Sequence, residues 1–158
     1  MTIIGKRKAK SKKLSIHILC SKAFYKKVPL IKKELEEMGF EVVLPNCYDR
    51  PTMENEMHLK GQKEHSEFKK KMYKQSAENI GKVDAVLVLN FTKLQSTRML
   101  ENYIGGATFL EMYEACMQGK KIFLYNPIPL GILCDEICGF DPIVISRDLQ
   151  KIKEEMYK

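Results

Sequence analysis

The chain has 158 residues and a mass of 18.3 kDa, room for one domain with a full core and too little for two. Hydrophobic residues make up 44% and charged residues 30%, a globular balance that excludes global disorder. The net charge of +7 is unevenly placed: Lys6, Arg7, Lys8, Lys10, Lys12 and Lys13 supply six of it, with no acid among residues 1–13, and the other 145 residues carry +1.

Residues 1–13 therefore read as a basic, flexible tail and 14–158 as a single domain. The alternative for the tail is an arm that engages RNA or another anionic surface. The globular part has no basic stripe with interleaved aromatics, which disfavours a dedicated nucleic-acid reader. The longest uncharged run, Ile122–Cys134, has 13 residues and contains Pro127 and Pro129, whereas a membrane helix needs about 20 apolar residues. Only Ile3 and Ile4 precede the basic run, too little for a secretory signal, so a cytoplasmic protein is expected. Five cysteines without a C-x-x-C pair are expected as reduced thiols. Cys134 and Cys138 share a helix face but lack further ligands for zinc, and His17, His58 and His65 form no H-E-x-x-H pattern. No metal or cofactor is expected.

In chain order, Ser15–Cys20 reads as a buried strand. Val28, Ile31, Leu35 and Met38 make one face of a helix that stops at Gly39, with Pro29 in its first turn and an earlier, kinked start near Ala23 as the alternative. Phe40–Leu44 is a second strand. Residues 45–60 read as a loop, a lid or rim. A charged helix over Lys63–Ile80 directs Phe68, Met72, Ala77 and Ile80 to the core. Val83–Asn90 is the central strand, and a loop from Phe91 to Tyr103 leads to a helix over Thr108–Gln118. Lys121–Tyr125 is a fourth strand, followed by a short helix at Leu133–Cys138, a strand at Pro142–Ser146 and a helix from Asp148. Alternating strands and helices predict a three-layer α/β sandwich on a five-stranded parallel sheet, order 2-1-3-4-5, the flavodoxin-like or Rossmann-like arrangement.

Ligands of such sheets bind beyond the carboxyl ends of the strands, where strand order reverses. The rule nominates Cys20, Ser21 and Lys22, then Asn90, the Tyr103–Thr108 turn and Asn126. Asp84, six residues before Asn90 and so about 20 Å from that end, is expected to be structural. In the turn, Gly105 and Gly106 let backbone approach a ligand, and the helix beginning there directs free N–H groups toward it. Glu111 lies three residues beyond Thr108 at the same helix end. It is either a functional carboxylate or the last member of a T-x-x-E capping box. Phe109, Met112, Tyr113 and Cys116 are expected as core contacts. G-x-G-x-x-G, G-x-x-x-x-G-K-[ST] and G-x-S-x-G are absent, which removes the main support for dehydrogenase, P-loop and serine-hydrolase readings. A lone carboxylate at a glycine-rich helix entrance is suited to nucleophilic substitution at a sugar's anomeric carbon.

I-H-I-L-C-S-K-A-F, V-D-A-V-L-V-L-N and Y-I-G-G-A-T-F-L-E-M-Y-E-A followed by G-K-K-I-F-L-Y-N-P-I-P together resemble the nucleoside 2-deoxyribosyltransferase-like superfamily, over about residues 14–146. The resemblance is closest to a small branch with a Y-I-G-G-x-T-F-L-E-M pattern. It implies the flavodoxin-like fold, cleavage or exchange of N-glycosidic bonds of nucleosides or nucleotides, and Glu111 as the nucleophile. It further implies that Ser21 and Lys22 hold a sugar hydroxyl or 5′-phosphate, that Asn90 lines the pocket with Asn126 in reach, and that the protein is a homodimer or higher homo-oligomer in which a neighbouring subunit completes the site. Asp135 and Glu136 are candidates for that completion. Two positions depart from the family: Cys20-Ser21 replaces a small glycine turn, and Gly105 stands six residues before the nucleophile, where characterised members carry a polar or acidic residue. The competing reading is a non-catalytic nucleotide- or nucleotide-sugar-binding module. A third is a related phosphoribohydrolase, whose G-G-x-G-T-x-x-E turn this chain matches only in part.

Overall fold

A computed structural model describes residues 12–158; the basic segment, apart from Lys12 and Lys13, lies outside the described residues. The elements are strand β1 (Ser15–Leu19), a 3-10 turn (Lys22–Lys27), helix α1 (Val28–Glu37), β2 (Glu41–Val43), α2 (Met53–Lys60), α3 (Gln62–Lys82) and β3 (Ala85–Val88). A hairpin of β4 (Lys93–Gln95) and β5 (Arg98–Leu100) follows, then α4 (Gly106–Met117), β6 (Lys121–Leu124), α5 (Cys134–Gly139), β7 (Ile143–Val144) and α6 (Gln150–Met156).

The main sheet has the order β2-β1-β3-β6-β7 and every pair is parallel. Counted along this sheet the order is 2-1-3-4-5, a flavodoxin-like fold. The continuous apolar runs of β1 and β3 are buried at every position because both faces are covered. On one face Val28, Ile31 and Leu35 of α1 and Ile152 of α6 pack on Ile16, Ile18, Ala85 and Leu87. On the other, Ile80 of α3, Met112 and Ala115 of α4 and Ile137 of α5 pack on Val86, Val88, Ile122 and Leu124. Gly39 and Gly119 end α1 and α4 at φ of 95° and 69°, left-handed conformations that glycine adopts without a Cβ clash. Among the described residues no helix is long and apolar enough to cross a membrane.

Several local expectations change. The segment 45–60 is not all loop, because Met53–Lys60 forms α2; with no buried residue, that helix has no apolar face to betray it. Phe91–Tyr103 folds as the β4-β5 hairpin, closed at its base by the Tyr103 amide donating to the Phe91 carbonyl at 2.9 Å. Helix α1 begins at Val28 with Pro29 in its first turn, as expected, and a separate 3-10 turn over Lys22–Lys27, capped by the Ser21 hydroxyl, leads directly into it. Phe68 and Met72 are half-buried rather than core, and Tyr113 is half exposed, on the outward side of α4. Asp84 is structural, its carboxylate accepting from the Ser15 amide at 2.8 Å and hydroxyl at 3.1 Å.

Candidate functional site

A cavity of about 300 Å³ opens beyond the carboxyl end of β1, at the reversal of strand order. Seven of the ten nominated residues line it: Cys20, Ser21, Lys22, Gly105, Gly106, Thr108 and Glu111. The turn after β1 supplies the first three and the start of α4 the rest. The other wall comes from residues the sequence reading did not nominate: Tyr25, Asn46, Cys47, Arg50, Glu54, Phe68, Lys69 and Met72. The segment expected as a lid or rim thus contributes a wall, through Pro45–Cys47, Arg50, Pro51 and Glu54.

The start of α4 settles what Glu111 does not do. Gly105 is the N-cap and no side chain caps the helix, so Thr108 lies inside the first turn and the capping-box alternative is not realised. Thr108 is buried with its residue on the cavity wall. Glu111 instead accepts a hydrogen bond from the Ser76 hydroxyl of α3 at 3.3 Å. Burial pushes the Glu111 carboxyl up to about 7, against the opposing pulls of the Ser76 hydroxyl and the Lys69 ammonium. The carboxyl is therefore poised near neutrality, as a group in proton or nucleophilic chemistry often is.

Lys69 pairs with Glu54 and acts on Glu111 through its charge. Its ammonium is 3.2 Å from Glu54, whose other partner is His65 at 3.3 Å, and these contacts hold Glu54 below the usual carboxylate range despite its burial. Together with Lys22 and Arg50, Lys69 gives the cavity three cationic side chains. The Cys20 thiol is pushed up to about 12 by burial and by Glu111, so it lines the wall as a neutral thiol. Tyr25 is likewise pushed up by burial, by Cys20 and Cys47, and by Glu111 and Glu54, and its hydroxyl donates to the Asn46 carbonyl at 3.1 Å.

Three nominated residues lie elsewhere. Asn90 does not line the pocket. It is fully buried, its amide donating to the carbonyls of Asn126 and Pro127, both at 3.0 Å, while its oxygen accepts from the Asn126 amide at 2.8 Å. Asn126 is spent in the same clasp, donating to the Asn90 carbonyl and accepting from Arg147 Nε at 3.0 Å. Their positions at strand ends satisfy the topological rule, but the side chains tie β3 to the loop after β6. Tyr103 packs on Phe24 and over Gly105, where an added Cβ would meet its hydroxyl at 3.3 Å, and faces a separate hollow. Asp135 and Glu136 are exposed on α5 and do not line the cavity.

Of the unforeseen residues, Asn46 and Cys47 follow β2, so the rule of carboxyl ends would reach them if extended to the edge strand. Lys69, Met72 and Ser76 are spaced as one stripe of α3, a pattern visible in sequence once the helix is oriented. Arg50 and Glu54 carry no such signal.

No protein-family model matches the chain, and none of the curated proteins matches it.

Proposed function

We propose that the protein cleaves or transfers the N-glycosidic bond of a nucleoside or nucleoside 5′-monophosphate, with Glu111 as nucleophile. The observation that carries this reading is that Glu111 lines a cavity at the strand-order reversal, together with Lys22, Arg50 and Lys69, instead of capping its own helix. The uncapped start of α4, with Gly105 and Gly106 on the cavity wall, offers N–H groups to sugar oxygens or phosphate. Lys22 and Arg50 are placed to neutralise a 5′-phosphate.

With its carboxyl near 7, Glu111 is about half ionised at neutral pH. The ionised form attacks the anomeric carbon, a C–O bond forms as the C–N bond breaks, and the leaving base takes the electron pair and a proton from solvent. Water, or a second base, then attacks the glycosyl-enzyme and restores the carboxylate. A homodimer belongs to the same proposal. Tyr73, Leu110 and Tyr113, each about half exposed, surround a second hollow of about 300 Å³ that shares Glu111 and Lys69 with the first.

The second reading, a nucleotide-binding module without turnover, is favoured by one observation: Glu54, the other carboxylate of the cavity, is occupied by His65 and Lys69. Incubation with a panel of nucleosides, nucleoside monophosphates and NAD separates the two. Release of free base that Glu111→Ala abolishes supports catalysis; thermal stabilisation by a nucleotide with no release supports binding alone.

A further inference from the structure

The Ser76 hydroxyl that reaches Glu111 is itself the end of a chain of amides. Asn79 and Ser76 stand three residues apart on α3 and both face Asn46, in the loop after β2. Asn79 Nδ2 donates to Asn46 Oδ1 at 2.9 Å, Asn46 Nδ2 donates to Ser76 Oγ at 2.6 Å, and Ser76 Oγ donates to Glu111 Oε1 at 3.3 Å. Tyr25 anchors the loop from the other side by donating to the Asn46 carbonyl at 3.1 Å.

The direction of this chain matters because a hydroxyl has one proton. With a lone pair of Ser76 Oγ occupied by the Asn46 amide, its proton is left for Glu111. Turning the Asn46 amide alone would set its Nδ2 against the Asn79 amide nitrogen, one donor facing another, so the two amides keep matched orientations and the Asn46 Nδ2 is directed at Ser76. Ser76 is buried at the edge of the second hollow, where its hydroxyl has Asn46 and Glu111 as side-chain partners.

We infer that Asn79, Asn46 and Ser76 form a positioning relay that aims the Ser76 proton at Glu111 Oε1, favouring the carboxylate form and leaving the second oxygen for attack. The inference rests on Glu111 being the nucleophile for its catalytic meaning, and on the hydrogen bonds alone for its effect on ionisation. None of the three relay residues touches the reacting atoms in this account; they act through Glu111.

The other titratable groups around Glu111 are the Lys69 ammonium and Tyr73 on α3, Cys20 after β1, Tyr25 in the 3-10 turn, Cys47 after β2, Tyr113 on α4, and Glu54 on α2 through Lys69. Lys22 and Arg50 share the first cavity and Glu114 the second hollow. Side-chain substitutions at Ser76 and Asn46 leave all of these in place, so a moved Glu111 midpoint reports the relay.

The test is an NMR titration of the glutamate side-chain carboxyls in the full chain without substrate, with Glu111 assigned by its loss in Glu111→Gln. Ser76→Ala raises the Glu111 midpoint by about one pH unit, a tenfold fall in the ionised fraction on the acid side. Asn46→Ala raises it by a smaller amount, roughly half a unit, because the Ser76 proton is then free to turn away. Asn46→Asp raises it most, since the new carboxylate competes for that proton and adds a like charge. An unmoved midpoint in Asn46→Ala overturns the relay, and so does movement in Ser76→Ala alone, for Ser76 then acts without its partners. Asn46 lies in a half-buried loop, so its variants decide the matter even where Ser76→Ala fails to fold. The readout needs no turnover: a chain that releases no base still tests the relay, and base release with an unmoved midpoint overturns the relay while leaving the proposed activity standing.

Discussion

The hydroxyl of Ser76 stands 3.3 Å from a carboxylate oxygen of Glu111, joining the middle of α3 to the first turns of α4 across 35 residues of chain. This contact fixes the acid against α3 at the mouth of a cavity, and it has consequences for stability as well as for chemistry. A carboxyl whose folded value is raised to about 7, against about 4.5 for an ordinary glutamate, favours the protonated folded state. The stabilising effect of its neutral form is full below about 4.5 and is lost as pH rises toward 7. Glu111→Gln, neutral at every pH, is therefore expected to match the wild type near pH 4.5 and to exceed it by about 3 kcal/mol at pH 8. Denaturant midpoints at the two pH values check this.

In the proposed reaction the same midpoint sets the pH dependence of turnover: with the ionised carboxylate attacking, kcat/KM for base release is expected to rise with pH through about 7 and then level. A profile that falls over this range would assign Glu111 to proton donation instead. Lys69→Met removes a cation that pulls the carboxyl down, so the rising limb moves to higher pH and the rate at pH 6 drops by roughly tenfold.

Under the proposed function, Lys22 and Arg50 on the cavity wall would recognise the phosphate. Each replaced by Ala raises KM for a nucleoside monophosphate by about tenfold, and more at low salt, with little change for the corresponding nucleoside. Equal effects on both substrates would remove the phosphate from this end of the cavity.

The Asn90-Asn126 clasp predicts a stability effect without a catalytic one. Asn90→Ala leaves the Asn126 amide and two carbonyls without their partner, at a cost of about 2–3 kcal/mol by denaturation. The pH profile of the folded fraction is expected to stay unchanged, since neither asparagine touches the cavity.

The architecture was legible because its signals are additive along the chain: the apolar runs of β1 and β3, the 3.6-residue stripe of α1 and the glycine stops at Gly39 and Gly119 all point one way. Strand ends then located the cavity, and the glycine pair at the start of α4 located Glu111. The distal wall was not legible for physical reasons. Helix α2 buries nothing, so its sequence carries no periodicity, and the β4-β5 turn at Ser96-Thr97 lacks the Asn-Gly type of signal that marks a tight hairpin. Asn90 and Asn126 show the converse: an amide at a strand end has the right place for a ligand, yet hydrogen-bonding demand inside the fold claimed both. Ser76 carries no signal of its own in the sequence, and only the position of α4 gives it Glu111 as a partner.

The most direct test of the central claim is intact-mass analysis of the full chain, acid-quenched during incubation with a nucleoside monophosphate that yields free base. A mass increase equal to the glycosyl group, mapped to the peptide containing Glu111 and absent in Glu111→Gln, is the predicted result. Base release at the wild-type rate by Glu111→Gln, or a glycosyl adduct mapped to another residue, would contradict it.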